Sequence, residues 1–359
     1  MRTFIIILGV LTILGNKAAG QGCVAIRGSG SFCSKSHNDK HADTTKWSLT
    51  INNRYFKSFR HFVGTVEQKQ RIALGTEVVN HTYSTNFFLT RKLNNGWSLA
   101  VDLPITANTR SSLYEHGGRS RHSTESFGIG DIRLIAYKWL IDPMKSTKAN
   151  VQLGFGLKLP TGEYRYMDKF FVNDTTTIVG PVDQSIQLGD GGTGFTVEAN
   201  AYYMLSKTVS LYGNFYYLLN PREQNGVSTA RGATPSAAAI RYGSDVMSVP
   251  DQYMWRAGAN VELKHVSFSA GVRHECIPMY DLIGGSNGFR RPGYVISAEP
   301  GFTWNFKKVS VYSFVPVVLK RSRTQSIPDK IRTQVTGVYA QGDAAFADYS
   351  INVGMRFSF

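Results

Sequence analysis

Eight charged residues occupy alternate positions in segments that are apolar at every second residue. They are Lys158, Glu198, Arg256, Glu262, Arg273, Glu275, Glu299 and Arg356. Successive side chains of a β-strand point to opposite faces, so this phasing directs all eight to the face opposite the apolar one. Charges of both signs on one enclosed face could carry ions and polar solutes through water. They could equally close that space with internal salt bridges.

Groupings with the chemistry of catalysis are incomplete. The Ser-Asn-Gly sequence at 286–288 has Gly284 where a general base would be needed, and a serine nucleophile requires such a base. His122 and Ser123 are adjacent in sequence, which does not establish a side-by-side arrangement. The glycine-rich stretch 188–194 lacks the lysine of a phosphate-binding loop. We therefore predict no catalytic residues, no enzyme activity, no cofactor and no metal.

The elements that would position the eight charges are clearest at the C-terminus. From Tyr349 to Phe359, apolar residues alternate strictly with polar or small ones, which predicts a strand with one apolar face. A tilted membrane strand needs about 9–11 residues, so this segment is long enough to cross a bilayer. An aromatic-rich final strand ending in Phe resembles bacterial outer-membrane barrels, where that end is the assembly signal. We therefore expect Phe359 to engage the barrel-assembly machinery.

Segments of the same kind recur along the chain. We predict strands at 47–55, 78–91, 97–103, 127–140, 150–159, 193–205, 209–220, 253–263, 266–275, 293–306, 309–319 and 349–359. The alternation is loose in the second and fourth of these. Their even number is typical of single-chain outer-membrane barrels. The predicted fold class is all-β, a transmembrane antiparallel up-and-down β-barrel of about 12 strands.

The lengths of the connections predict which end of the barrel faces which side. Short links alternate with long ones, the long ones at about 56–76, 104–126, 160–192, 221–250, 276–292 and 320–345. Short turns face the periplasm and long loops face outward in such barrels. An even number of strands then puts both termini in the periplasm. Four tryptophans at the short-turn ends, Trp47, Trp97, Trp139 and Trp304, suit an aromatic girdle.

The N-terminal region divides into two parts before the barrel at 46–359. Residues 1–20 combine Arg2 with an apolar run and small residues, which predicts a signal peptide that is cleaved, in a protein of the bacterial outer membrane. Gly20 replaces the apolar residue that a lipoprotein leader would need. Residues 21–45 are predicted to be a periplasmic segment, with insertion as a plug one possibility.

Cysteines and metal-type residues in that segment leave alternatives open. Cys23 and Cys33 are close in sequence and could form a disulfide in an oxidising compartment, which would leave Cys276 over. Cys33, His37 and their acidic neighbours form a loose cluster, but no zinc spacing is met cleanly. A disulfide is favoured over a metal site. The third possibility is that the segment forms neither of them.

Two stretches resemble a known family. The residues Gly128-Ile-Gly-Asp-Ile-Arg-Leu134 are followed by Leu153-Gly-Phe-Gly-Leu-Lys-Leu-Pro-Thr-Gly-Glu-Tyr164. In this order they resemble the family of outer-membrane transporters of the meta-pathway of phenol degradation. The resemblance covers about residues 125–359. It implies passage of small molecules, aromatic or apolar ones among them, across the outer membrane.

The formal net charge is +15, and much of the surplus falls in the predicted outer loops. The arginines concerned are Arg110, Arg119, Arg121, Arg222, Arg231, Arg241, Arg290, Arg291, Arg321, Arg323 and Arg332. Arginine binds phosphate and carboxylate well. Contact with phosphorylated lipopolysaccharide is the favoured interpretation, and recruitment of an anionic solute is the second. A nucleic-acid partner is not expected for a secreted barrel.

Two functions follow as predictions. The first is a passive outer-membrane channel or transporter for small solutes. The second is a plugged structural barrel that binds a partner through its outer loops or its N-terminal segment.

Overall fold

A computed structural model of the protein describes residues 45–118, 120–143, 145–146 and 148–359. The predicted signal peptide at 1–20, and Cys23, Cys33 and the other residues of 21–44, lie outside the described residues. The twelve barrel strands are β1 (Trp47–Val63), β2 (Val79–Lys92), β3 (Trp97–Ser112), β4 (His122–Ile129 and Arg133–Trp139), β5 (Ala149–Lys158), β6 (Gly194–Met204), β7 (Val209–Leu219), β8 (Gln252–Leu263), β9 (Val266–Ile277), β10 (Gly293–Asn305), β11 (Val309–Phe314 and Val317–Arg323) and β12 (Ala344–Ser358).

Each strand pairs antiparallel with the next, and β12 pairs with β1 from Ser48 opposite Ser358 to Phe62 opposite Ala344. The sheet is therefore closed and has no free edge. The prediction of an all-β, up-and-down barrel of about 12 strands is confirmed. No helix in the described part of the chain is long and apolar enough to cross a membrane.

Alternation of side chains separates an apolar outer face from a polar inner one. On β12, Tyr349, Ile351 and Val353 are exposed on the outside, while Ser350 and Asn352 are buried inside the barrel. Because the period of a strand is two, closure of the sheet puts every second residue in the interior. An apolar outer face suits contact with lipid.

Several strands continue further toward the long-connection end than the alternation predicts. The strand predicted at 47–55 runs on to Val63, and the one predicted at 97–103 runs on to Ser112. The predicted long links at 56–76 and 104–126 are therefore wrong at their beginnings. On β3 the outward residues Ile105 and Ala107 are still apolar and only Thr109 and Ser111 are polar, so the apolar pattern fades there although the hydrogen-bonded pairing continues.

The six connections that follow the odd-numbered strands lie at one end of the barrel and are called the long connections, although the one at 113–121 is no longer than the one at 140–148 at the other end. The long connections carry α1 (Gln70–Ala73), α2 (Ala237–Tyr242) and α3 (Ile327–Thr336). They also carry two small hairpins, Met167–Phe171 with Thr177–Pro181 and Gln224–Ser228 with Val246–Ser248. Ser326 begins α3 with a capping box, and Gly337 ends it in a left-handed conformation.

The two ends of the described barrel meet at the short-turn end. The amide of Trp47 donates to the carbonyl of Phe359 at 2.9 Å. Trp97 begins β3, Trp139 ends β4 and Trp304 lies one residue before the end of β10. Trp47, Trp97 and Trp304 are exposed on the outer face at this end, as predicted, whereas Trp139 is in the inward phase of β4 and packs against Tyr202, so its place in an outer girdle is wrong.

Interior tyrosines pack against glycines of neighbouring strands. A Cβ atom added to Gly154 would lie 2.6 Å from Cε1 of Tyr137, and one added to Gly354 would lie 2.3 Å from Cζ of Tyr312. These distances are shorter than van der Waals contact, so only glycine leaves room for the ring. The barrel interior is thereby filled to a large extent by its own side chains.

Candidate functional site in the barrel interior

The eight charged residues singled out from the sequence differ in burial and in position along the barrel. Lys158, Glu198, Arg256, Glu262, Arg273 and Glu299 are buried, and Glu275 and Arg356 are partly buried. Most of them take part in one of three groups of ion pairs. Glu262, opposite Ser267, and Arg356, opposite Thr50 and Ser310, lie nearer the short-turn end than these groups. That these side chains line a solute path stays a prediction.

The first group, the β8–β10 network, connects three neighbouring strands and then crosses the barrel. Arg256 and Arg273 both contact Glu299, with N–O distances of 3.4 and 3.3 Å. Arg273 also contacts Glu275 at 2.9 Å. Arg54 of β1 reaches Glu275 at 3.4 Å. The network therefore joins strands that are not adjacent in the sheet, and side chains span the interior at this level.

The second group, the β3–β7 network, lies on another part of the wall. Arg133 of β4 contacts Asp102 of β3 at 2.5 Å and Glu198 of β6 at 3.4 Å. The hydroxyl of Tyr137 donates to Glu198 at 2.7 Å. The guanidinium of Arg133 also lies over the ring of Tyr216, 5.3 Å from its centroid. Buried charges need partners of this kind, because their desolvation is costly.

The third group, the Asp131 clamp, holds the base of the connection between β5 and β6. Asp131 lies between the two halves of β4 and accepts hydrogen bonds from the amides of Gly162, at 3.0 Å, and Asp190, at 3.2 Å. Lys158 pairs with Asp131 at 3.4 Å and also with Asp190. The amide of Ile132 donates to the hydroxyl of Thr161 at 2.9 Å. The two sequence stretches that carry the family resemblance are thus in direct contact and fix both ends of one loop.

That loop folds into the mouth of the barrel at the end that carries the long connections. The part at 182–188, here called the inserted segment, includes Val182 and Ile186, which have no exposed surface. The hydroxyl of Ser126 on β4 donates to the carbonyl of Ile186 at 2.5 Å. Asp183 forms a two-pronged ion pair with Arg291, with N–O distances of 2.9 and 2.6 Å. Beneath the inserted segment lies a cavity of about 70 Å³, lined by residues of both networks such as Arg54 and Asp102.

Sequence reasoning missed several members of these groups. Arg54 and Asp102 follow the inward phase of strands that alternate well, so their signal was present in the sequence. Arg133 lies on a strand whose alternation is loose because the three residues after Ile129 interrupt it. Arg110, assigned to an outer loop, is buried on β3.

Of the residues considered for catalysis, Ser286 lies in a connection and His122 begins β4. The hydroxyl of Ser286 accepts a hydrogen bond from the amide of Asp281 at 2.9 Å. A ring nitrogen of His122 lies 2.9 Å from the hydroxyl of Ser120, rather than being paired with Ser123. No cluster of His, Cys, Asp or Glu within the described ranges could hold a metal ion. Cys276 is buried and is not in a disulfide with any described residue.

Comparison with protein-family models gives no match, and comparison with curated proteins gives none. Among solved structures, the chain is similar to the COG4313 outer membrane channel from Pseudomonas putida F1, with a TM-score of 0.57 and 11% sequence identity over 88% of this chain and 96% of that one. This likeness shows a shared fold. No family model supports membership in the family of outer-membrane transporters of the meta-pathway of phenol degradation, so that membership stays a prediction.

Two further solved structures are less similar to this chain, each with a TM-score below 0.5. The CymD monoaromatic hydrocarbon channel has a TM-score of 0.42 and 11% identity over 95% of this chain and 98% of that one. The translocator domain of autotransporter NalP from Neisseria meningitidis has a TM-score of 0.46 and 13% identity over 90% of this chain and 92% of that one.

Proposed function

We propose that this protein is a barrel of the bacterial outer membrane through which small solutes diffuse passively. The observation that carries the proposal is the division of one closed sheet into an apolar outside and an interior of paired charges. An apolar outer face suits lipid, and a polar interior suits water and dissolved solutes. The fold shared with an outer membrane channel supports the same function.

The proposed orientation puts the long connections outside the cell and the short turns and both termini in the periplasm. Short periplasmic turns and long outer loops are the rule for such barrels. The final strand, ending at Phe359, would be read by the barrel-assembly machinery. The basic outer loops would contact the phosphates of lipopolysaccharide.

Passage of a solute requires the inserted segment to move. In the structure this segment covers the interior cavity, and Asp183, Ser126 and Arg291 hold it. These three contacts are hydrogen bonds and ion pairs, which can exchange with water, and movement would also expose the buried side chains of Val182 and Ile186. The eight predicted lumen residues would then line the path and set its preference for charge.

From the family resemblance we propose that the solutes are small molecules, aromatic ones among them. Residues 21–45 are the second proposed control point, as a plug from the periplasmic side. A barrel closed for structural or partner-binding reasons is the competing function. The contact of Arg54 with Glu275 across the interior and the inserted segment over the cavity would suit that function, and a measurement of solute passage separates the two.

Liposome swelling tests passage directly. Vesicles containing the refolded mature chain are diluted into isotonic solutions of solutes of increasing size, from glycine to raffinose. A passive channel gives swelling rates that fall with solute size. Rates equal to those of protein-free vesicles for every solute would overturn the proposal.

A further inference from the structure

The long connections converge on a second cavity, the outer cavity, with a volume of about 210 Å³. Five of the six connections contribute to its lining, and its ionisable side chains are those of His61, Arg71, Arg110, Arg231, Arg291, Glu115 and Asp343. The sixth connection supplies Asp183, which contacts two of these arginines. The cavity is therefore a meeting point of all the long connections.

Ion pairs hold these connections together around the cavity. Arg110 contacts Glu115 at 2.8 Å and Asp183 at 3.5 Å. Arg231 contacts Glu115 at 2.7 Å. Arg71 contacts Asp343 at 2.6 Å, and Nδ1 of His61 lies 2.9 Å from the same carboxylate.

The charges of the outer cavity do not balance. Four guanidinium groups, of Arg71, Arg110, Arg231 and Arg291, face three carboxylates, of Glu115, Asp183 and Asp343, which leaves one positive charge in excess. Burial alone would raise the pKa of Asp183, but Arg110 and Arg291 outweigh it and hold that pKa well below its usual range. Because the pKa values of these three carboxyl groups are lowered, the carboxylates stay ionised at neutral pH and the arginines exceed them by one charge.

Two polar atoms at the cavity have no hydrogen-bond partner among the described residues. They are the hydroxyl oxygen of Ser112 and Nε of Arg231. Ser112 has no exposed surface. A buried polar group without a partner is costly, so these atoms are suited to bind a ligand that accepts hydrogen bonds.

The backbone at Arg231 has an unusual conformation that close packing holds in place. Arg231 has a φ of 53°, in the left-handed region that disfavours arginine. The strand segment at Gly180 packs so closely that an added Cβ would lie 2.1 Å from the carbonyl carbon of Arg231. Gly232 follows with a φ of 87° and packs against Val179. Close packing on two glycines therefore holds the arginine in a strained conformation.

We propose that the outer cavity binds a small organic carboxylate, with Arg231 and Ser112 as its partners. The proposal rests on the proposed channel function and names the solute class that its outer mouth recruits. An apolar cavity of about 150 Å³ accommodates benzene, so the outer cavity has room for a ring and its carboxylate. Val78, Ala344, Ala345 and the ring of Tyr114 supply an apolar wall for the rest of such a molecule.

Benzoate is the probe for this site, and benzamide is its uncharged control. Binding to the detergent-solubilised full-length mature protein is measured by saturation-transfer NMR titration at low chloride. Benzoate should bind saturably and benzamide should not. Arg231→Gln should weaken benzoate binding at least about tenfold, since a charge-assisted hydrogen bond is lost. Arg332→Gln removes an equal charge from the exposed surface of α3 and should change nothing.

Each other outcome contradicts the proposal. Equal binding of benzoate and benzamide, or the same affinity in the Arg231→Gln variant, would overturn it. Tighter binding of inorganic phosphate than of benzoate would assign the site to phosphate groups such as those of lipopolysaccharide. If Arg231→Gln does not fold, the comparison of benzoate with benzamide in the unaltered protein still decides. Because binding is read without flux, a binding protein that shows no passage would refute the channel and leave the site intact.

Discussion

Arg54 on β1 and Glu275 on β9 meet across the barrel interior, with Nη2 of Arg54 3.4 Å from Oε1 of Glu275. Along the shorter path around the sheet, β10, β11 and β12 lie between the two strands. The contact therefore spans the space that a solute would have to cross. Arg273 contacts the same carboxylate, so Glu275 lies between two arginines.

Neutralising Glu275 should make the channel prefer anions. Glu275→Gln removes a negative charge next to Arg54 and Arg273, and the chloride-to-potassium permeability ratio should rise about twofold or more for charges a few ångströms from the path. The reversal potential under a potassium chloride gradient measures this ratio. Glu125→Gln, on the exposed outer surface of β4, is the matched control and should leave the ratio unchanged. An unchanged ratio in Glu275→Gln would show that ions do not pass near this network.

Filling the space beside Tyr137 should destabilise the barrel. Gly154→Ala puts a methyl group 2.6 Å from the ring of Tyr137 and 3.1 Å from Cβ of Glu198. Overpacking of this kind costs about 1–3 kcal/mol of unfolding free energy. Urea unfolding in lipid vesicles measures it. In Gly213→Ala the nearest neighbour of the new methyl is the carbonyl oxygen of Arg256, 4.0 Å away, so the unfolding free energy should remain close to that of the unaltered protein. Equal losses in both variants would contradict the close packing of Tyr137.

Asp343 should stabilise the outer loops in a pH-dependent way. Burial would raise its pKa, but the hydrogen bond from His61 and the guanidinium of Arg71 lower it from 3.8 to about 2. A lowered folded-state pKa gives stability that is present above about pH 4 and is lost as the pH falls toward 2, about 2 kcal/mol in all. Asp343→Asn should therefore unfold more easily at pH 7, and the difference from the unaltered protein should shrink below pH 4. A difference that stays constant down to pH 2 would contradict the assignment.

Loosening the inserted segment should open the channel more often. Asp183→Asn weakens the ion pairs to Arg110 and Arg291, and a hydrogen bond to a charged group contributes about 1.5–3 kcal/mol, so the open fraction should rise about tenfold. Single-channel recordings measure that fraction. Asp174→Asn changes an exposed carboxylate of the same connection and serves as the control. If Asp183→Asn and Asp174→Asn give the same open fraction, the inserted segment is not the gate.

The sequence predicted the barrel strands wherever the outer face is apolar. Strands such as β5 and β12 alternate because one face is outside the barrel and the other faces its interior, so every second residue is apolar. Near the long-connection end of β3 the outward residues change from Ile105 and Ala107 to Thr109 and Ser111, so the pattern fades before the pairing ends.

The sequence predicted which charged side chains point into the barrel, but it did not predict which of them form ion pairs with one another. Glu198 and Arg273 follow from alternation, whereas the contact of Arg54 with Glu275 depends on closure of the barrel, which brings β1 toward β9. Arg110 looked like a solvated loop arginine because its neighbours are polar. The outer cavity could not be predicted at all, since it is assembled from six connections that are far apart in sequence.

Single-channel conductance in planar bilayers tests the central claim most directly. The full-length mature chain is compared with a version that lacks residues 21–45. A passive channel predicts discrete current steps from the full-length protein, with larger or more frequent steps after truncation if the N-terminal segment restricts the path. Silence from both proteins, each shown to be folded by its heat-modifiable migration, would contradict the channel.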